Sequence, residues 1–269
     1  MVVYAKSYPR DNPETLKAHI ETLLKELHRI KFIYGHKIEK LIPESIRDYF
    51  WDALEICCKV HDLGKIHTPF QNAIRKSVGK ELLPYINGVE EVPHNILSSA
   101  FLFDLVTKFP REIQDTIFQA VAFHHTRGTD NLSDKDWKNI MVAIEKDIKP
   151  HLERLVDIHS LLDGKVPAIN TNYRNRLLAR PKGDYQTFFI FLKGLLHRID
   201  HSASAHLDIE TIPLVSSDQL ITTYLHSKGV SESGIWQKEL AEKCRHTSVI
   251  FQASTGAGKT EFSLYWLGD

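Results

Sequence analysis

Histidines are unusually frequent here, fifteen in 269 residues, and several fall where a helix would turn them inward. In "CCKVHDLGKIHTPFQ", residues 57–71, His61 follows Cys57 by four positions and Asp62 comes next. His19 lies on the stripe of Leu16, Ile20 and Leu23. His124 lies three and four positions after Val121 and Ala120, with His125 beside it. Asp200 lies four after Leu196, and His94 opens a further helical run. Helical spacing thus aims polar, metal-capable side chains from five segments at one core. Burying one such group alone costs several kcal/mol, but a converging set can share positive charge. Imidazole mixed with carboxylate suits Mn, Fe, Co, Ni or Zn. Asp62 has two oxygens with which to bridge two ions about 3.5–4 Å apart, the spacing of two-metal hydrolytic sites. Each residue also has a plainer reading: an inward histidine is usually a hydrogen-bonded core residue, and His61–Asp62 can be an ordinary internal pair. The other histidines, His67, His197 and His201 among them, read as surface or supporting groups.

These residues need helices to hold them. Leu16, Ile20, Leu23, Leu24, Leu27 and Ile30 recur at helical spacing, as do Ile46, Phe50, Ala53, Leu54 and Cys57. Further runs are Leu97, Phe101, Leu105; Ile113, Ile117, Ala120, Val121; and Tyr185, Phe188, Phe189, Leu192, Leu195, Leu196, Ile199. Breakers such as "LPYINGVEEVP", "KFP", "TRGTDN" and "ARPKGD" separate them. The expected fold is mainly α, a helical bundle over 1–210, then a linker over 211–247. Residues 248–269 read as the strand, loop and helix that open a truncated α/β domain. Within "SVIFQASTGAGKTE" the loop has the P-loop pattern, with Ala253 where the first glycine usually stands. Backbone N–H groups around Gly256 and Gly258 would cradle phosphates, Lys259 would reach the terminal ones and Thr260 would ligate Mg²⁺. The acid that completes such a site belongs to a later strand. We therefore expect no ATP hydrolysis by this chain, and ATP with Mg²⁺ as ligands of a complete P-loop domain.

Composition narrows the partners. Acidic and basic residues balance at 34 each, so a nucleic-acid path must be local. The segment "NYRNRLLARPKGDY" gathers Arg174, Arg176, Arg180 and Lys182 with Tyr173 and Tyr185, a combination suited to single strands or simply a solvated basic loop. Three cysteines without zinc spacing imply neither a disulfide framework nor a finger. No apolar run is long enough to span a bilayer and the start has no signal-peptide pattern, so no membrane partner and a cytoplasmic location are expected.

"HDLGK" resembles the signature of the HD phosphohydrolase superfamily. The fuller string "VHDLGKIHTPFQ", followed by "PHNILSSAF", "AVAFHHTRG" and "LLHRIDHSASA", resembles the HD nuclease domain of the CRISPR-associated nuclease–helicase of type I systems over residues 1–210. The Ala253 exchange, Gln252 and the upstream "IWQKEL" resemble the start of a superfamily 2 helicase. The resemblance implies one metal among His19, His61, Asp62 and Asp200, with His28 as the alternative to His19. It implies a second among Asp62, His94, His124 and His125, with Mn, Fe, Co or Ni, or else Mg, as the ion. Lys65 would lie near the reacting phosphate, where it can stabilise developing charge; its plain reading is a lysine paired with an acid. The implied activity is cleavage of single-stranded DNA alongside a CRISPR surveillance complex. The rivals are an HD phosphohydrolase acting on nucleotides, disfavoured by the "FQ" and the trailing P-loop, and a catalytically silent docking module.

Overall fold

The computed structural model describes all residues except 126–131, 163, 165, 209–216, 230–235, 246, 255 and 268–269. The breaker at 126–131, most of the linker's start and His246 therefore lie outside the described residues. The chain forms two compact units, Met1–Ile209 and Glu210–Asp269.

In the first unit, Thr15 caps helix α1 (Leu16–Leu41) by accepting from the Ala18 N–H, and Leu16, Ile20, Leu23, Leu27 and Ile30 are buried as one stripe. A 3-10 turn, Glu44–Tyr49, leads into α2 (Phe50–Val60), whose Phe50, Ala53, Leu54 and Cys57 point inward. A second 3-10 turn, Leu63–Ile66, separates it from α3 (Thr68–Ser77), which has proline in its first turn. The run after His94 is shorter than its apolar spacing suggests: α4 is His94–Ser98, followed by a 3-10 turn, Ser99–Phe101. Ser98 and Ser99 spend their hydroxyls on the carbonyls of His94 and Asn95, competing with helix propagation. Helix α5 (Arg111–Ala122) starts after Pro110. Helix α6 (Asp134–Ala143), with a Ser133/Asp136 capping box, runs into a π turn, Ile144–Ile148, and a kinked 3-10 stretch, Lys149–Leu161. After α7 (Arg174–Leu178), the long α8 (Asp184–Ala205) ends at His206 in the left-handed region. Helix α8 packs on α1, α2 and α5, and these four carry the core.

The second unit packs α9 (Ser217–Ser227), α10 (Trp236–Lys243) and α11 (Lys259–Leu267) around Ile221, Leu225, Ala241, Phe262 and Tyr265. The strand expected at 248–252 does not form: the segment has no ladder partner and Ile250 is fully exposed. A β-branched run needs a neighbouring strand to satisfy its backbone, and no strand exists among the described residues. The loop that follows has Gly256 and Gly258 at φ of +84° and +80°, and the Lys259 ammonium donates to the carbonyls of Ala253 and Ser254. Among the described residues no helix is long and apolar enough to cross a membrane.

Candidate metal centre

The HD turn is built for close approach. Helix α2 stops at Val60, His61 caps it, and Asp62 opens the following 3-10 turn. At Gly64 an added β-carbon would lie 2.1 Å from the His94 carbonyl oxygen and 2.8 Å from the Leu97 β-carbon. Only glycine lets this turn lie flat on the start of α4, where its N–H also donates to Ser98 Oγ at 2.9 Å. That packing places Asp62 Oδ1 3.2 Å from His94 Nε2. The buried Asn95 side chain donates to the Ala122 carbonyl, tying α4 to the end of α5, where the chain presents His124 and His125. Helix α1 brings His19 and helix α8 brings Asp200 from the other side.

All seven sequence-derived candidates come together, in two groups. Asp62, His94, His124 and His125 each offer a donor atom within 4.8 Å of the others, and so do His19, His61 and Asp200. The Asp62 carboxylate faces both. Its Oδ2 lies 3.4 Å from the Nε2 of His19 and of His61, while its Oδ1 lies 3.2 Å from His94 Nε2 and 3.8 Å from His124 Nε2. Asp200 Oδ1 is 3.1 Å from His19 Nε2, and the Nε2 atoms of His94 and His125 are 3.1 Å apart. His28, by contrast, is exposed on α1.

Ring orientations are set from behind. His61 Nδ1 lies 3.1 Å from the Cys58 carbonyl and His124 Nδ1 lies 2.7 Å from that of Val121. A carbonyl only accepts, so each Nδ1 holds the proton and each Nε2 carries the lone pair. Those two Nε2 atoms and Asp62 Oδ1 are buried without a hydrogen-bond partner. Three buried acceptors facing one another are costly unless a cation satisfies them.

The electrostatics agree. Burial opposes ionisation of Asp62, but the neighbouring His61 and Lys65 and the imidazoles of His19 and His94 outweigh it and hold the carboxyl far below its usual range. Asp200 is likewise held low, burial being overcome by the hydrogen bond from His19 and the neighbouring His61. Burial, with His61 adding to it, drives the His124 imidazole well below its ordinary value. Burial and the neighbouring His94 bring His125 to about 4. Near neutral pH the doublet is therefore uncharged and able to ligate, beside two ionised carboxylates. This donor set fits divalent cations of the Mn-to-Ni series. His19 differs: despite burial, hydrogen bonds with Asp200 and Asp62 raise it to about 10.

Lys65, buried in the turn, places Nζ 2.6 Å from Asp62 Oδ2 and 5.6 Å from the Phe70 ring centroid. Its carbonyl accepts from the Gln71 amide at 2.7 Å.

Asp147, which the sequence reading missed, anchors the second half of the motif. It is fully buried and accepts from the Thr68 N–H, the Thr68 hydroxyl, His67 and Arg154. His67 is thus a core residue, not a surface one. His197 and His201 sit exposed on α8 with ring centroids 4.0 Å apart. The basic segment is also partly structural. Tyr173 is buried with its hydroxyl donating to the Ile96 carbonyl, and Arg176 pairs with Asp115 between Phe103 and Phe118. Neither offers a surface to a base or phosphate; of the segment's basic residues Arg180 and Lys182 are exposed, and Arg174 is half-buried and paired with Asp134.

Residues 25–204 match the family described as Cas3, HD domain. The chain belongs to this family. It is also 24% identical to the CRISPR-associated nuclease/helicase Cas3 of Methanothermobacter thermautotrophicus, over 98% of this chain and 37% of that protein. It thus spans little more than a third of the length of that relative. No solved structure matches. Six of the seven candidate residues fall within the matched Cas3 HD region; His19 lies before it.

Proposed function

We propose that this Cas3-family chain is a metal-dependent phosphodiesterase that cleaves single-stranded DNA. The observation that carries this reading is the Asp62 carboxylate facing two histidine groups, with three buried acceptors left unbonded. His19, His61, Asp200 and one Asp62 oxygen would hold one divalent ion. His94, His124, His125 and the other Asp62 oxygen would hold the second. When bound, such ions supply a hydroxide nucleophile near neutral pH and neutralise the phosphodiester.

The protein's own groups do the rest. The Cys58 and Val121 carbonyls keep the His61 and His124 lone pairs turned inward. Lys65 presents an ammonium beside Asp62, placed to donate to a phosphoryl oxygen as negative charge develops. Access is from the side of His125, which is exposed, and His94, which is half-buried; the other ligands are buried. A centre sunk among helices in this way admits a flexible strand more readily than a stiff duplex.

The CRISPR-associated name of the relative supports a role in CRISPR interference; a surveillance complex as partner and a cytoplasmic location belong to the same proposal. We read 1–210 as the nuclease domain, 211–247 as a linker and 248–269 as the entry to a superfamily 2 helicase. Gly256, Gly258, Lys259 and Thr260 would meet nucleotide there. The test compares single-stranded DNA, duplex DNA and free nucleotides with Mn²⁺, Co²⁺ or Ni²⁺ supplied. We expect products from single strands alone, lost at least about 100-fold in a folded Asp62→Ala variant. Preferential hydrolysis of nucleotides, or equal activity in Asp62→Ala, would contradict the proposal.

A further inference from the structure

The first fifteen residues lie outside the matched family region, yet they reach the centre. Residues 3–6 run back along 14–16: the Ala5 N–H donates to the Glu14 carbonyl at 2.8 Å and the Leu16 N–H to Val3 at 2.8 Å. Gln71 clamps this strap from α3. Its amide accepts from the Tyr4 N–H at 3.0 Å and donates to the Tyr4 carbonyl at 2.8 Å, while also donating to the Lys65 carbonyl. Arg75 donates to the Val2 carbonyl and covers the Tyr4 ring. One glutamine thereby joins the strap to the HD turn.

The strap delivers two side chains to the back of His19. Glu14 Oε1 lies 3.5 Å from His19 Nδ1, and Lys6 Nζ lies 3.3 Å from the same nitrogen and 3.1 Å from Glu14 Oε2. Glu14 and His19 are both buried. On the opposite edge of the ring, Nε2 faces Asp200 Oδ1 at 3.1 Å and Asp62 Oδ2 at 3.4 Å. Unlike His61 and His124, whose Nδ1 protons go to backbone carbonyls, His19 has a carboxylate behind it. An imidazole ligates through one nitrogen only if the other holds the proton, and a carboxylate behind it fixes that choice and strengthens the ligand.

We propose that Glu14, braced by Lys6, is a positioning residue that accepts the His19 Nδ1 proton and so aims the Nε2 lone pair at the ion shared with His61, Asp62 and Asp200. The inference rests on the metal-centre reading above and adds the N-terminal strap to the centre. Without Glu14, the Lys6 ammonium would be the sole polar partner at Nδ1 among these contacts, favouring the tautomer with the proton on Nε2.

Co²⁺ titration of the whole chain, followed by visible absorption and calorimetry, tests this without any nuclease assay. His61→Ala and His125→Ala identify which binding step belongs to which group. Glu14→Ala is expected to weaken the step abolished by His61→Ala by about 10–100-fold, leaving the step abolished by His125→Ala within error. Glu14→Gln, with the same shape and a neutral acceptor, is expected to fall between, and it carries the test if the alanine variant does not fold. Wild-type Co²⁺ affinities in both variants would overturn the inference while leaving the metal centre standing. Equal weakening of both steps would show a merely structural role and overturn it too. A wild-type chain that binds no Co²⁺ would sink the metal centre and this inference together.

Discussion

Lys65 shows how a single side chain can carry two readings at once. Its ammonium is paired with Asp62 at 2.6 Å, the ordinary role of a buried lysine, yet Asp62 is the carboxylate that both histidine groups share. A cation held by Asp62 would compete with that pair, and Nζ could then donate to phosphate. Lys65→Met should therefore lower single-strand cleavage by roughly 10²–10³-fold while Co²⁺ affinity changes little. A cleavage rate within about two-fold of wild type would return Lys65 to a structural role. The inward placing of His19, His61 and Asp200 was legible because each sits on a helical stripe. Glu14 and Asp147 were not, because one precedes its helix and the other sits in a π turn where the 3.6 period fails. Arg176 and Tyr173 misled for the opposite reason: long amphipathic side chains look like surface in a sequence, but here their apolar portions pack and their polar tips find partners.

At the scale of elements, the centre depends on a turn meeting a helix end. Gly64 allows it, since a β-carbon would collide with the fixed His94 carbonyl rather than with a movable side chain. Gly64→Ala should destabilise the protein by about 1–3 kcal/mol, measured by urea denaturation, and should weaken Co²⁺ binding because Asp62 and His94 move apart. Unchanged stability would mean that the turn and α4 are less tightly seated than the distances imply. The glycine's reason could not be read beforehand: the HD motif announces a turn, but not what packs on it. Element existence was legible for α1, α2, α5 and α8, whose stripes are long and regular. The run after His94 proved short because serines compete for its carbonyls, and the 248–252 strand is absent because strands, unlike helices, take their hydrogen bonds from neighbours.

For the whole first unit, Asp147 is an acid-sensitive tie between α3 and the segment after α6. Burial opposes its ionisation, but hydrogen bonds from His67 and Thr68 outweigh this and lower it to about 2. A carboxyl whose folded value is depressed stabilises the fold above its unfolded value near 3.8 and loses that contribution as pH falls towards 2. The contribution at neutral pH is on the order of 2 kcal/mol. Asp147→Asn should be less stable than wild type at pH 6, with the gap closing between about pH 4 and pH 2. A gap independent of pH over that range would show that the carboxylate's charge contributes nothing.

The central claim is that seven imidazole and carboxylate groups enclose cations around Asp62. Crystals grown with Mn²⁺ and measured for anomalous scattering test it most directly. We predict two peaks flanking the Asp62 carboxylate about 3.5–4 Å apart, one beside His19, His61 and Asp200 and the other beside His94, His124 and His125. An ordered structure at saturating Mn²⁺ with no anomalous peak in contact with Asp62 would contradict it.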